Sequence, residues 1–209
     1  KGIKGMEARD DDFLNQLFSV VFRDTVGTVQ STTDCTYDSN GNLQTKGVNQ
    51  GGTATYTFYT LDVNNRLLSV DVDNVQVLQA TYDYRTRRLT KTECGATTYF
   101  VYDGGVSIQE RQSGAATLKA ELVYGGGLGA GIGGILYDDR QGIRSHYVYN
   151  QVGHTMLETN NSGTVTAWNV YEAFGNRASF WPASTPTNRL ANTRELDSST
   201  GLYNHGFRY

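Results

Sequence analysis

The sequence predicts an all-β protein built from successive antiparallel β-hairpins. Turn-forming clusters recur every 9 to 15 residues along a chain of 209 residues. Between them, runs such as "TATYTFYT" (53–60) and "RSHYVYN" (144–150) alternate or are rich in β-branched and aromatic residues, the pattern of strands joined by short turns. A unit of roughly 20 to 26 residues also repeats, which marks an array of one supersecondary motif. Fourteen tyrosines and only two prolines, with 38% apolar content, fit a folded, tyrosine-rich β protein and not a disordered segment.

The repeat reads in order as "DDFLNQLFSV" (11–20), "TYDSNGNLQTK" (36–46), "LDVNNRLLSV" (61–70), "TYDYRTRRLTK" (81–91), "VYDGGVSIQE" (101–110), "VYNQVGHTML" (148–157) and "VYEAFGNRAS" (170–179). An acidic or amide residue marks each copy: Asp12, Asp38, Asp62, Asp83, Asp103, Asn150 and Glu172, spaced 26, 24, 21, 20, 47 and 22 residues apart. The gap of 47 divides in two if Tyr124-Gly125 marks a degenerate copy, giving about eight copies. The chemistry is that of turns. Asp or Asn bonds the backbone N–H two residues on, and a residue three positions later takes the positive φ that closes a hairpin. Asp38/Gly41, Asp62/Asn65, Asn150/Gly153 and Glu172/Gly175 fit this, whereas Asp83, followed by Thr86, reads as less regular. Tyr37, Tyr82, Tyr102, Tyr149 and Tyr171 precede the marker residue, and Tyr59 and Tyr124 recur near the same spacing. Stacking on neighbouring strands is their expected use, with a sugar-binding ladder that includes Trp168 and Trp181 as the functional alternative.

A second set of turns lies between these: "NQGG" (49–52), "VDN" (72–74), "ECGA" (93–96), "QSGA" (112–115), "DDRQG" (138–142) and "NNSG" (160–163). Each repeat is therefore expected to be one hairpin. One stretch competes with this reading. Phe13, Leu14, Leu17, Phe18 and Val21 would share a helix face behind an N-cap at Asp10–Asp12. Because "DFLNQLFSV" repeats as "DVNNRLLSV" fifty residues later, strand is expected.

The glycine run "YGGGLGAGIGG" (124–134) contains G-x-G-x-x-G at Gly129, Gly131 and Gly134. A dinucleotide site requires the last glycine to open a helix. The succeeding residues, "ILYDDRQGIRSHYVYN", carry β-formers around a turn and no helical stripe, so no cofactor is expected. A net charge of −3 gives no basic surface for nucleic acid. The one basic cluster, "RTRRLTK" (85–91), reads as a solvated strand face. No apolar run is long enough to span a bilayer. Cys35 and Cys94 are too few for a disulfide scaffold, and one bridge between them is the minor reading. His146, His154 and His205 lie far apart and read as surface or turn residues, and no metal site is expected. The chain begins without Met and reads as an excerpt of something longer.

The Tyr-Asp units resemble the YD repeats of the Rhs (rearrangement hotspot) family, which occur also in the C component of insecticidal toxin complexes and in teneurins. "NRLANTRELDSSTGLYNHGFRY" (188–209) resembles the Rhs repeat-associated core, on Arg194, Glu195, Leu196, Asp197, Thr200, Gly201, Leu202, Tyr203, Arg208 and Tyr209. "YVYNQVG" (147–153) and "GTV" (163–165) match the repeat just upstream. The resemblance implies two parts, YD repeats over 1–179 and a core segment over 180–209, in which "FWPASTPTNRL" would cover a sheet end. It implies a curved or spiralling sheet that is part of a hollow shell enclosing a C-terminal toxin or effector. The glycine run then becomes an expanded turn of one repeat. About sixteen strands at ~4.8 Å would close into a cylinder only ~25 Å across, so an arc of a shell is expected. The implied partners are that toxin segment and neighbouring repeats of the shell, and the implied location is secreted or cell-surface. Rhs cores normally continue past the final Arg-Tyr into a further segment, where some members carry aspartates that cut the chain; the sequence stops at Tyr209, so no self-cleavage is assigned to it.

For chemistry, Glu195 and Asp197 would point the same way from a strand, and with Arg194 and Arg208 nearby a structural ion pair is expected in preference to a glycosidase pair. No nucleophile elbow or zinc-protease motif occurs, and no enzyme is expected. The competing class is a surface YD-repeat module that binds carbohydrate or another cell.

Overall fold

The computed structural model describes residues 5–11, 16–112, 114, 116–125, 134–172, 175–181 and 188–205. The chain forms two compact units, residues 1–79 and 80–209. The first contains β1 (Gly5–Asp11), β2 (Leu17–Arg23), β3 (Val29–Tyr37), β4 (Leu43–Gln50), β5 (Thr53–Leu61) and β6 (Leu67–Val72). Strand β7 (Val75–Tyr82) carries the chain from the first unit into the second. The second holds β8 (Arg88–Glu93), β9 (Ala96–Asp103), β10 (Val106–Gln112), β11 (Thr117–Tyr124), β12 (Ile135–Arg140), β13 (Ile143–Tyr149), β14 (Thr155–Thr159), β15 (Val165–Tyr171) and β16 (Arg177–Trp181). A hairpin of β17 (Glu195–Asp197) and β18 (Leu202–Asn204) completes it. Within each unit every strand pairs antiparallel with its neighbour in sequence. Leu17, Phe18 and Val21 lie on β2 and Asp10 and Asp11 on β1, both strands, while residues 12–15, with Phe13 and Leu14, fall outside the described residues.

The turns are of two kinds, and side-chain chemistry separates them. At the first kind, Asp38 donates its N–H to the Asn42 carbonyl and accepts the Gly41 N–H, closing a three-residue loop. Its Oδ1 accepts the N–H groups of Asn40 and Asn42 at 2.9 and 2.8 Å. Asp24, Asp62, Asp83, Asn150 and Asn160 repeat this geometry. Glu172 makes the same two backbone bonds, to Asn176 and Gly175. The fourth residue is left-handed in every case, with φ of 82° at Gly41, 59° at Asn65, 66° at Thr86 and 84° at Gly153. Thr86 thus adopts the regular loop despite its branched side chain, so the Asp83 copy is not the irregular one its sequence suggests.

At the second kind, two residues join the strands. Gly51-Gly52, Asp73-Asn74, Cys94-Gly95 and Gln141-Gly142 have positive φ at both positions, as a type I′ hairpin turn requires. Two assignments exchange places. Asp103 stands opposite Val106 across the two-residue turn Gly104-Gly105, so it closes no three-residue loop. Asn160, read among the short turns, closes one. The Gly125 N–H bonds the Gly134 carbonyl and β12 comes next, so a strand and not a helix succeeds the glycine run; residues 126–133, with Gly129 and Gly131, lie outside the described residues.

Five tyrosines tie the end of their own strand to the start of the preceding one. Tyr37, Tyr102, Tyr124, Tyr149 and Tyr171 donate their hydroxyls to the carbonyls of Leu17, Arg88, Ser107, Ile135 and Thr155 at 2.6 to 3.0 Å. A half-buried phenol that satisfies a strand-end carbonyl combines ring burial with a polar anchor. Ring stacking is secondary: Tyr37 meets Phe18 edge-on, Tyr149 stacks on Tyr147 of its own strand, and Tyr171 packs on His154. Tyr82, at the end of β7, is half-buried. Cys35 and Cys94 are free thiols.

Candidate functional site: a C-terminal strap on a buried charged face

In the second unit, one face of the sheet is covered by the chain from Asn188 to Asn204. The covered positions are not uniformly apolar. Phe100, Ala120, Leu122, Ile135, Tyr147 and Ala167 are buried there, and so are Arg88, Lys91, Glu110, Asp138, Arg140, Glu158 and Asn169. The opposite face carries exposed Leu89, Val101, Leu118, Leu136, Val148 and Val170. Burying a charge is costly unless it is paired and hydrogen-bonded, and the strap supplies the partners. Glu195 meets Arg88 at 2.7 Å and Lys91 at 2.8 Å, and Asp197 meets the same two cations at 2.8 Å each. Lys91 also bonds Glu93, whose carboxylate accepts the Ser199 N–H at 2.6 Å and the Ser198 hydroxyl at 3.0 Å. Arg88 lies over the Phe100 ring at 5.0 Å.

A second group sits beside it. Arg140 forks onto Glu110 through two bonds of 2.8 and 3.0 Å, holds Asp138 at 2.6 Å and reaches the Asn188 amide oxygen at 3.2 Å. Arg189 joins Glu110 at 3.2 Å to Glu195 at 3.6 Å, so the groups form one network through the strap. Backbone bonds fix the rest. The Thr155 N–H and hydroxyl bond the carbonyls of Leu190 and Arg189, and His154 Nδ1 accepts the Asn192 N–H. The chain then turns sharply through Ala191–Thr193, with positive φ at Asn192 and Thr193. Gly175 has no Cβ where Ala191 passes; a methyl there would sit 3.1 Å from the Ala191 Cβ.

The electrostatics follow from this packing. Burial works against the charge of Glu195, but Arg88, Lys91 and Arg189 outweigh it and hold the carboxyl well below its ordinary value. Burial likewise opposes the Lys91 ammonium, and Glu195 and Asp197 keep it above its ordinary value. Glu158 differs. It is 1% exposed, its Oε1 has no hydrogen-bond partner, and burial with Asp138 nearby pushes it up to about 7. Burial also raises Asp138.

Of the residues that carry the Rhs-core resemblance, Glu195 to Tyr203 lie together in the strap. Glu195 and Asp197 anchor the strap; Leu196 pairs with Tyr203, and Leu202 with Asp197. Thr200 and Gly201 close the hairpin on the Asp197 carbonyl, and the Tyr203 hydroxyl bonds the Gly175 carbonyl at 3.3 Å. Arg194 lies beside Glu195 in sequence but takes no part in the ion pairs, and Arg208 and Tyr209 lie outside the described residues. Among the described residues the ion-pair partners of Glu195 and Asp197 are Arg88, Lys91 and Arg189 and not Arg194. This also corrects the basic cluster: Arg88 and Lys91 are 1% and 4% exposed, because the acidic strap covers them. Phe180 and Trp181 lie on the exposed strand β16, and residues 182–187 lie outside the described residues. Asn188–Leu190 bond residues on a sheet face. Among the described residues, no group of three or more His, Cys, Asp or Glu could hold a metal ion, and no helix is long and apolar enough to cross a membrane.

Solved structures share this architecture. The Tc holotoxin pore of Photorhabdus luminescens matches with a TM-score of 0.52 at 16% identity, over 94% of this chain and 13% of that chain. The crystal structure of TcdB2-TccC3-Cdc42 gives 0.54 at 16% identity, over 96% and 13%. That of TcdB2-TccC3-TEV gives 0.51 at 12% identity, over 94% and 15%. The chain has the fold of these Tc toxin chains. They fit the Rhs resemblance carried by the Tyr-Asp units and by residues 188–209. The chain spans 13 to 15% of the length of the chains it matches. No family model matches the sequence, and no curated protein is significantly similar to it.

Proposed function

We propose that the chain is a non-catalytic segment of a secreted YD-repeat shell that encloses a C-terminal toxin or effector and helps to deliver it. The observation that carries this reading is the covered face of the second unit, where a strap that resembles the Rhs core is locked down by buried ion pairs. A wall must keep its shape while the segment it holds is replaceable. Hairpins with self-contained loops, plus a charged lock internal to the wall, meet that requirement with no contribution from the cargo. Glu195 and Asp197 are consumed by Arg88, Lys91 and Arg189, a structural use that supports a role without catalysis. The implied partners are the toxin segment and the neighbouring repeats.

The test is limited proteolysis with mass spectrometry on the natural full-length protein, following any polypeptide beyond Tyr209. Enclosure predicts that such a segment resists protease until the shell is denatured. Digestion at the rate of a free chain, with the repeats still intact, would overturn enclosure and turn attention to a surface module that binds glycan or another cell.

A further inference from the structure

A cavity of about 80 Å³ lies between the strap and the ends of β9 to β11. Its wall includes Phe100, Tyr102, Ser107, Tyr124, Arg189 and Arg194. Two of the donors here are already used: the hydroxyls of Tyr102 and Tyr124 bond backbone carbonyls. Arg189 is engaged with Glu110 and Glu195. Two others are not. The Arg194 Nε and the Ser107 hydroxyl are buried from solvent and have no hydrogen-bond partner, and Ser107 is 8% exposed. Buried polar groups of this kind are uncommon in folded proteins, and each costs its full desolvation. Arg194 also stands outside the ion-pair network that holds Arg189. Burial and the neighbouring Arg189 guanidinium both disfavour its charge.

Two residues with buried, unpartnered donors, one of them a cation beside another cation, line a space of a few water volumes. The complementary group is small, anionic and rich in acceptors. A guanidinium presents its N–H groups in a plane that matches a carboxylate, and a hydroxyl can add a further bond to the same oxygens. The apolar Phe100 edge suits the carbon that bears such a group. We propose that this cavity is a carboxylate-binding site, with Arg194 as the charged anchor and Ser107 as the second donor, open either to an acidic side chain of a polypeptide or to a small free carboxylate. The inference stands apart from the shell reading, since it uses only groups of the second unit.

The test is an NMR titration of the whole chain, labelled with ¹⁵N-arginine and with ring-labelled tyrosine, using three probes at matched ionic strength: sodium acetate, acetyl-Ala-Asp-Ala-amide and sodium chloride. The Arg194 Nε–H signal is assigned by its loss in Arg194→Gln. Acetate or the Asp peptide is expected to shift that signal and the rings of Tyr102 and Tyr124 saturably, while chloride is not. The ring shifts should vanish in Arg194→Gln, and Ser107→Ala should weaken binding at least about threefold. Tighter binding of the peptide assigns the site to polypeptide side chains; tighter binding of acetate assigns it to free carboxylates. No saturable shift with either carboxylate, an equal response to chloride, or ring shifts that persist in Arg194→Gln would overturn the proposal. Unchanged amide spectra of both variants away from the cavity establish that each is folded.

Discussion

Among the described side chains of the first unit the buried ones are Val20, Leu67, Val70 and Leu78, all apolar; in the second, buried Phe100, Leu122 and Ile135 share a face with Arg88, Lys91, Glu110, Asp138, Arg140 and Glu158. Both units use the same hairpin chemistry. Asp38 and Asp62 close loops in the first as Asp83 and Asn150 do in the second, and Tyr37 is anchored as Tyr149 is. The difference is the strap. Strands β3 to β5 alternate between exposed and half-buried positions and bury no side chain fully. The loops and tyrosines therefore build the array, and a covering segment decides what its face can bury.

The sharpest way to break this contrast is to remove an anchor. Glu195→Ala leaves Arg88, Lys91 and Arg189 short of a carboxylate in a water-poor site. A cost of about 3–5 kcal/mol is expected, read as a fall in the thermal midpoint and faster amide exchange at Leu190, Thr193 and Leu196. A loss below about 1 kcal/mol would show that the strap is held by its apolar contacts alone.

Glu158 gives a dependence on pH. Its folded-state value lies near 7 against an ordinary 4.5, so between those values the folded state keeps a proton that the unfolded state releases. Stability conferred by that proton falls as pH rises through this window, and the penalty is complete above pH 7. A shift of this size corresponds to roughly 3 kcal/mol. Glu158→Gln should match the parent near pH 4 and exceed it by about that amount at pH 8, measured by urea unfolding. Parallel curves for the two proteins would sink the assignment. Glu195 has the opposite sign: its contribution is present above the ordinary carboxylate value and disappears as the solution is acidified below it.

A smaller effect sharpens what the units share. Gly27 and Gly163 occupy the same loop position in different units, at φ of 87° and 78°, and a methyl group added at either would meet nothing within 4 Å. Replacing either by Ala should cost roughly 1–2 kcal/mol from backbone strain alone, and equally. Unequal costs would mean that the loops are not one chemistry. Smallest are Tyr37→Phe and Tyr149→Phe, each expected to cost about 1 kcal/mol for a carbonyl left without its phenol.

Hairpins were legible because turn chemistry is local: Asp38 and Gly41 declare a loop whatever surrounds them. Thr86 escaped because its strain is offset by the Asp83 bonds, which use an earlier residue. Asp103 was misplaced because an acidic residue before Gly-Gly suits either turn and the choice rests on strand register, whereas Asn160 and Gly163 carry the spacing of the three-residue loop they form. The charged face was illegible for a deeper reason. Arg88 and Asp197 are 109 residues apart, and Leu136 and Val148 lie outside while Asp138 and Arg140 lie inside, the reverse of a pattern read by hydrophobicity. The one available signal was the pairing of an exceptionally basic stretch, 85–91, with the alternating acids Glu195 and Asp197.

Segment-resolved native-state hydrogen exchange on the intact chain tests the strap most directly. The amides of Thr155, Leu190, Arg194 and Leu196, which bond within or beneath it, should share the protection of β8 to β14 and lose it together in Glu195→Ala. Free exchange of Leu190, Arg194 and Leu196 while β8 to β14 remain protected would contradict the account, since the charged face would then be stable uncovered.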